Sequence, residues 1–165
     1  MALFEPILEA LNAAGVRYVV VGGVGVVLQG HPRLTADLDL AVDLSTEQAR
    51  RAVDALTGLG LRARAPVDPA HFADPAQRAR WIAERGMRVF SMVDPNDPLR
   101  SVDLFVDEPV PFEELFERAD SVELSRIVIR VASISDLIRL KRMAARPQDD
   151  ADIAALEAIL EEREG

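Results

Sequence analysis

Two aspartates, Asp37 and Asp39, stand at alternate positions in the run ADLDLAV, and a glycine pair, Gly22-Gly23, closes the β-branched run that precedes them. On a strand, side chains two apart share a face, so both carboxylates would project together while Leu38 and Leu40 point the other way. Two carboxylates about 4 Å apart at an effective dielectric near 20 repel by roughly 4 kcal/mol. Stability gives no reason for such a placement. A divalent cation turns the repulsion into attraction, and Mg2+ or Mn2+ prefers the hard oxygens of one or two carboxylates together with substrate phosphates. Glycines let backbone N–H groups approach an anion closely, and a short helix starting there would aim its positive end at a phosphate. A phosphate cradle and metal-binding carboxylates in one strand-turn-strand unit imply a site for a nucleoside triphosphate.

The composition narrows what else the chain could do. At 165 residues, 49% hydrophobic and 28% charged, it reads as one globular domain with a real core. No apolar run approaches the roughly 20 residues that span a bilayer, and the N-terminus lacks a basic start and apolar stretch of a signal peptide, so a cytoplasmic protein without a membrane partner is expected. The absence of cysteine excludes disulfides, thiol catalysis and thiolate metal sites. With two histidines, His31 and His71, a histidine-rich zinc site is not expected either. A net charge of −9 disfavours broad nonspecific binding to nucleic acid. The densest basic stretch is Arg62, Arg64, Arg78, Arg80, Arg85 and Arg88, solvated surface by default and the place for a nucleic-acid acceptor if there is one. Lys141 is the single lysine, which marks it for attention.

The elements that would position these residues alternate between helix and strand. Leu3, Phe4, Ile7, Leu8 and Leu11 have helical spacing, and Gly15 stops the helix. Val16–Val21 reads as a buried strand, Val24–Gln29 as a short helix, and Leu38–Val42 as the next strand. Ser45 with Gln48 makes a capping box before a helix from Thr46 to about Thr57. Leu61–Val67 alternates like a half-exposed strand, Asp68–Asp74 reads as irregular, and Asp74-Pro75 opens a helix that Gly86 closes, with Trp81 in its packing face. Met87–Val93 and Val102–Val106 read as strands joined by the loop DPNDPLRS. Pro111 starts a short helix, Phe112–Arg118, and Val122–Val131 supplies one strand or a pair. Ser133 and Asp136 cap a helix with Leu137, Ile138, Leu140 and Met143 on its apolar face. After Pro147 a last helix from Asp149 to about Glu162 buries Ile153, Leu156, Ile159 and Leu160, with Asp149, Asp150 and Asp152 suited to its start. The fold class is α/β (α+β), a mixed sheet flanked by helices, with an α/β core over residues 1–131 and a helical segment over 132–165.

The pattern Gly22-Gly23, a gap, then R-x-T-x-D-x-D at Arg33, Thr35, Asp37 and Asp39 resembles the signature of the nucleotidyltransferase superfamily, the polymerase-beta-like fold. Asp103 in SVDLFVD matches the third carboxylate, which that superfamily takes from a later strand. DLIRLKRMAARPQDDADIAAL resembles the D-L-I-x-L-K helix and the R-x-x-D-x-x-D segment of small bacterial members, including abortive-infection and toxin-type nucleotidyltransferases. The resemblance runs from about Val16 to Leu156.

It implies that Asp37 and Asp39 bind Mg2+ or Mn2+, that Asp103 completes the site and could help deprotonate the acceptor, and that Lys141 and Arg33 place positive charge near the triphosphate. Thr35 would hydrogen-bond the phosphate or orient the strand. The substrate would be an NTP and the acceptor a tRNA, a protein or a small molecule, with an antitoxin as partner in the toxin-type case. The apolar C-terminal helices could pair two copies into a homodimer. Many members carry serine after the glycine pair where this chain has Val24, which leaves as an alternative a catalytically reduced module that binds nucleotide or a partner.

Overall fold

A computed structural model describes residues 1–165. In chain order the helices are α1 (Glu5–Ala13), α2 (Gly22–Leu28), α3 (Thr46–Gly58), α4 (Pro75–Arg85), α5 (Phe112–Arg118), α6 (Ile134–Ala144) and α7 (Asp149–Glu164). The strands are β1 (Tyr18–Val21), β2 (Leu38–Val42), β3 (Arg62–Ala63), β4 (Val89–Asp94), β5 (Asp97–Phe105), β6 (Asp120–Leu124) and β7 (Ile127–Val131). They form one mixed seven-stranded sheet in the order β3-β4-β5-β2-β1-β7-β6. The pairs β2–β5 and β1–β7 are parallel, and the other four are antiparallel.

Strand parity divides the side chains between two layers. Val20, Leu38, Leu40, Val42, Phe90, Met92, Val102 and Leu104 face a core shared with α1, α3 and α4. There Trp81 stacks on Phe90, with ring centroids 5.3 Å apart, so it is core as expected. Val19, Val21 and Ala41 face the opposite layer, made with α5, α6 and α7. Asp39 shares the parity of Ala41, and Asp103 lies between Val102 and Leu104, so both acids emerge on the layer of the C-terminal helices.

Local chemistry explains most element ends. Asp74 accepts from the N–H of Ala76 with Pro75 at the first helical position, and Gly86 ends α4 in the left-handed conformation at φ 59°. Ser133 caps α6 by accepting from the N–H of Asp136. The capping box at α3 is only half made. Ser45 accepts from the N–H of Gln48, but the Gln48 side chain accepts from the backbone N–H of Arg17 at 2.7 Å, and Asp43 takes the N–H of Ser45 instead.

Several expectations are corrected. The strand read over Leu61–Val67 shrinks to Arg62–Ala63, because it lies at the sheet edge with β4 as its sole neighbour and Pro66 has no N–H to continue the ladder. The stretch read as irregular contains a 3-10 turn, Pro69–Ala73, capped by Asp68. The DPNDPLRS loop is mostly strand, since β5 already begins at Asp97 after a tight turn at Pro95-Asn96. On α6 Met143 is exposed and Lys141 is buried, so the stripe facing inward is Ile134, Leu137, Ile138 and Lys141 at i, i+3, i+4 and i+7. No helix is long and apolar enough to cross a membrane.

Candidate active site

One register row of the sheet assembles the acids. Val21 on β1 pairs with Asp39 on β2, Asp39 lies opposite Asp103 on the parallel strand β5, and Asp103 pairs with Ser91 on β4. Arg64, just past β3, donates its N–H to the carbonyl of Ser91 and so extends the row. Residues that pair directly across a sheet have side chains on one face, about 5 Å apart. Asp39 and Asp103 therefore stand side by side. Asp37 precedes β2 by one residue and is near enough to raise the proton affinity of both.

The glycine pair is shaped around these side chains. Gly22 follows β1 directly and opens α2 at φ 62°, in the left-handed region that glycine tolerates. A Cβ at Gly22 would strike the Asp39 carboxylate, coming within 2.7 Å of its Cγ. A Cβ at Gly23 would fall 2.5 Å from Thr35 Oγ1 and 2.9 Å from Arg33 Nη2. Both glycines are thus required by close approach, one to Asp39 and the other to the loop that carries Arg33 and Thr35. Thr35 Oγ1 lies 3.5 Å from the Asp37 carbonyl oxygen.

Burial raises the Asp39 carboxyl from its usual 3.8 to about 7, with Asp103 and Asp37 adding to the rise and Arg146 and Lys141 opposing it. No protein group hydrogen-bonds to that carboxylate. Burial also raises Asp103, where the hydrogen bond from Ser91 Oγ, at 2.6 Å, and the charge of Arg64 oppose the rise and Asp37 adds to it. Side chains without a cation do not form a group of three or more acids or imidazoles tight enough to ligate one ion. The donor set nonetheless fits a cation that arrives with phosphates, which needs only one or two protein carboxylates, and the unpaired Asp39 beside Asp103 provides them.

Lys141 and Arg33 sit in an ionic cluster beside this row. Lys141 Nζ is buried, 2.9 Å from Asp152 Oδ2 and 3.2 Å from Asp149 Oδ1. Arg33 grips the same Asp152 through Nε and Nη2, both at 2.9 Å, and Arg146 holds Asp149 at 3.1 Å. Against burial, which pushes it up, the hydrogen bonds from Arg146 and Lys141 hold the Asp149 carboxyl below the usual range. The cluster ties the 30–37 loop to α6 and α7. Asp149 and Asp152 therefore do more than favour the start of α7, whose N-cap residue makes no side-chain cap. His31 Nε2 is 3.9 Å from Asp152 Oδ1, at the margin of the cluster.

Sequence reading missed Ser91, took Arg64 only as one of a basic stretch, and met Arg146 only as the arginine of the R-x-x-D-x-x-D segment, without a role of its own. A small polar residue amid VFSMV was the signal for Ser91. The six arginines read as one basic stretch are divided, with Arg88 exposed just ahead of β4. Arg78 is buried and donates to the carbonyls of Phe72 and Leu44. Arg80 and Arg85 ride on α4 in the other layer, while Arg62 and Arg64 pair beside Val93 and Ser91 on the face of the acids.

Residues 3–93 match the family described as aminoglycoside-2''-adenylyltransferase. No curated protein sequence matches the chain. Among solved structures, the lincosamide antibiotic adenylyltransferase LnuA with lincomycin bound superposes with a TM-score of 0.64 at 14% identity, covering 96% of this chain and 97% of that one. ANT(2'')-Ia in complex with adenylyl-2''-tobramycin gives 0.55 at 15% identity, covering 99% and 98%. An antigenic nucleotidyltransferase-like protein from Paracoccidioides brasiliensis gives 0.56 at 14% identity, covering 95% and 74%. These likenesses agree on the mixed-sheet nucleotidyltransferase fold, and the sequence match spans more than half of the chain. The protein is a nucleotidyltransferase of the aminoglycoside-2''-adenylyltransferase family.

Proposed function

We propose that the chain transfers a nucleotide from an NTP, with Mg2+ or Mn2+, to a hydroxyl group of a small molecule. The observation that carries this reading is the Asp39–Asp103 pair, in register on adjacent parallel strands, with Asp39 left without a hydrogen-bond partner beside a glycine that leaves room for it. Asp37, Asp39 and Asp103 would hold the cation, which when bound offsets their repulsion and the charge on the reacting phosphate. The Gly22-Gly23 backbone lies where the phosphates pass, with Arg33, one-third exposed, reaching in from the loop. Thr35 and Lys141 keep that loop and the helices in place, Lys141 through its pairs with Asp149 and Asp152.

In the reaction, the acceptor oxygen forms a bond to the α-phosphorus while the bond from that phosphorus to the bridging oxygen breaks, and pyrophosphate leaves. The acceptor proton passes to a carboxylate. Asp103, on the strand farther from the glycine pair, would take that role. A small acceptor is favoured over tRNA or protein by the net charge of −9 and by the antibiotics bound to the structural relatives. Val24 is fully buried in the core and supplies no hydroxyl to a phosphate, so the backbone of the glycine pair and Arg33 would carry that contact. The chain is read as one catalytic unit, residues 1–131, completed by the helices of 132–165, and placed in the cytoplasm where NTPs are available.

The test is calorimetric titration with ATP, GTP, CTP and UTP in the presence of Mg2+, followed by transfer of α-labelled nucleotide. Wild type should bind one NTP in a Mg2+-dependent manner, and Asp39→Ala should not. Absence of Mg2+-dependent binding for every nucleotide would sink the reading. Transfer to tRNA or to protein in preference to small molecules would move it to the toxin type with an antitoxin partner.

A further inference from the structure

The reacting row has two unlike ends, and the reaction geometry says which substrate belongs at each. Glycine and the cluster of Arg33 and Lys141 lie on the β1 side of Asp39, whereas β5, β4 and β3 extend from Asp103 on the other side. In-line displacement places the attacking oxygen opposite the leaving one. With the leaving pyrophosphate on the glycine side, the acceptor lies over β5, β4 and β3.

That part of the sheet is less covered than its reverse, although Ser101, bonded to Arg64, is buried. Val89, Ser91, Val93 and Asp103 are only half-buried on this face, while Phe90, Met92, Val102 and Leu104 on the other are fully buried. Between Val89 and Val93, and between Ser101 and Phe105, Asp103 is the one acid on it. The neighbouring charges are cationic. Arg62 pairs beside Val93 and is exposed, and Arg64, also exposed, donates from Nη2 to Ser101 Oγ at 3.1 Å. Once the three aspartates hold a cation, these two arginines set the charge of the floor. A polyamine such as tobramycin would meet two guanidinium groups there and one carboxylate already engaged.

We propose that the acceptor is a small hydroxylated molecule with an anionic group, a carboxylate or phosphate, which Arg62 and Arg64 receive while its hydroxyl lies against Asp103. Arginine offers paired N–H donors to either anion. Two strand spacings separate Arg64 from Asp103, so the anionic group stands about 10 Å or less from the reacting hydroxyl, the length of a sugar phosphate or a sugar acid. This assignment rests on the transferase reading for its catalytic half, but the anion site can be measured alone.

Ribose 5-phosphate, ribose and tobramycin are titrated into the full chain, without nucleotide and then with saturating Mg2+ and a nonhydrolysable ATP analogue. Ribose 5-phosphate should bind at least tenfold more tightly than ribose or tobramycin, and Arg62→Glu and Arg64→Glu should each weaken it about tenfold or more. Arg62 is exposed on a two-residue edge strand, so Arg62→Glu tests the site without loss of the fold. Binding of the ATP analogue should be unchanged in Arg62→Glu, which lies beyond the row of the acids. Equal or tighter binding of tobramycin, or anion binding indifferent to both arginines, overturns the proposal. Tighter Arg62-dependent binding of an oligoribonucleotide than of ribose 5-phosphate also overturns it, in favour of an RNA acceptor. If the ATP analogue fails to bind but ribose 5-phosphate still binds through the arginines, the anion site stands and the transferase reading falls. The reverse result leaves the transferase and removes the anionic acceptor.

Discussion

Replacing Asp39 with asparagine should abolish transfer and at the same time stabilise the metal-free protein. The carboxyl is half-buried beside Asp103 and Asp37, and its proton affinity rises from 3.8 to about 7. Below pH 3.8 it is protonated in folded and unfolded chains alike and costs nothing. As pH climbs from 3.8 to about 7 the unfolded chain ionises first, so wild-type stability falls across this window and levels off above it. The separation of about three pH units, at about 1.4 kcal/mol each, sets a ceiling of about 4 kcal/mol. An asparagine side chain has the same shape and no charge. The gain from Asp39→Asn should therefore grow from none at about pH 3.5 to as much as about 4 kcal/mol at about pH 8, or about 10 °C in Tm for a chain of this size. Urea or thermal unfolding in EDTA between about pH 4 and pH 8 measures it. Mg2+ with NTP should then stabilise wild type and leave the variant unmoved. A variant no more stable than wild type at the alkaline end, or a gain that is flat with pH, would refute the argument that these acids are held together against their own repulsion.

Other perturbations separate the roles of the neighbouring residues. Gly22→Ala forces a Cβ against Asp39 in left-handed backbone and should cost about 1–3 kcal/mol in urea unfolding, with loss of Mg2+-dependent nucleotide binding. Lys141→Met leaves Asp149 and Asp152 buried with less counter-charge, so a loss of about 3–5 kcal/mol is expected, and Asp149→Asn in the same chain should recover part of it. Ser91→Ala removes a hydrogen bond that lowers the proton affinity of Asp103, so the acidic limb of the pH–rate profile should move to higher pH while thermal stability changes little. Trp81→Ala should cost about 3–5 kcal/mol without altering nucleotide affinity in the folded fraction, because Trp81 packs on Phe90 in the opposite layer.

The elements near the acids were legible because their signals are local. Leu38–Val42 is bounded as expected, and the caps at Ser45, Asp74 and Ser133 mark the starts of α3, α4 and α6. Edge and turn regions were less legible. The short β3 depends on having one neighbour instead of two, and the long β5 depends on β4 folding back after a two-residue turn, neither of which alternation can report. Lys141 illustrates the same limit at one residue. Its spacing from Ile134, Leu137 and Ile138 put it on the buried stripe, but a charge there makes sense only once Asp149 and Asp152 arrive from the next helix.

Sequence alone determined the mixed α/β class and singled out the glycine pair with Asp37 and Asp39, because strand parity and glycine placement are properties of neighbours along the chain, and the family resemblance added Asp103 as an expectation. Tertiary structure decided the rest. Register across β1, β2, β5 and β4 placed Asp39 beside Asp103 and set Ser91 against it, and parallel pairing of strands some 60 residues apart is not encoded in any local period. Burial, a property of the whole layer, then raised the proton affinity of Asp39, and the docking of α7 brought Lys141 and Arg33 onto a shared Asp152.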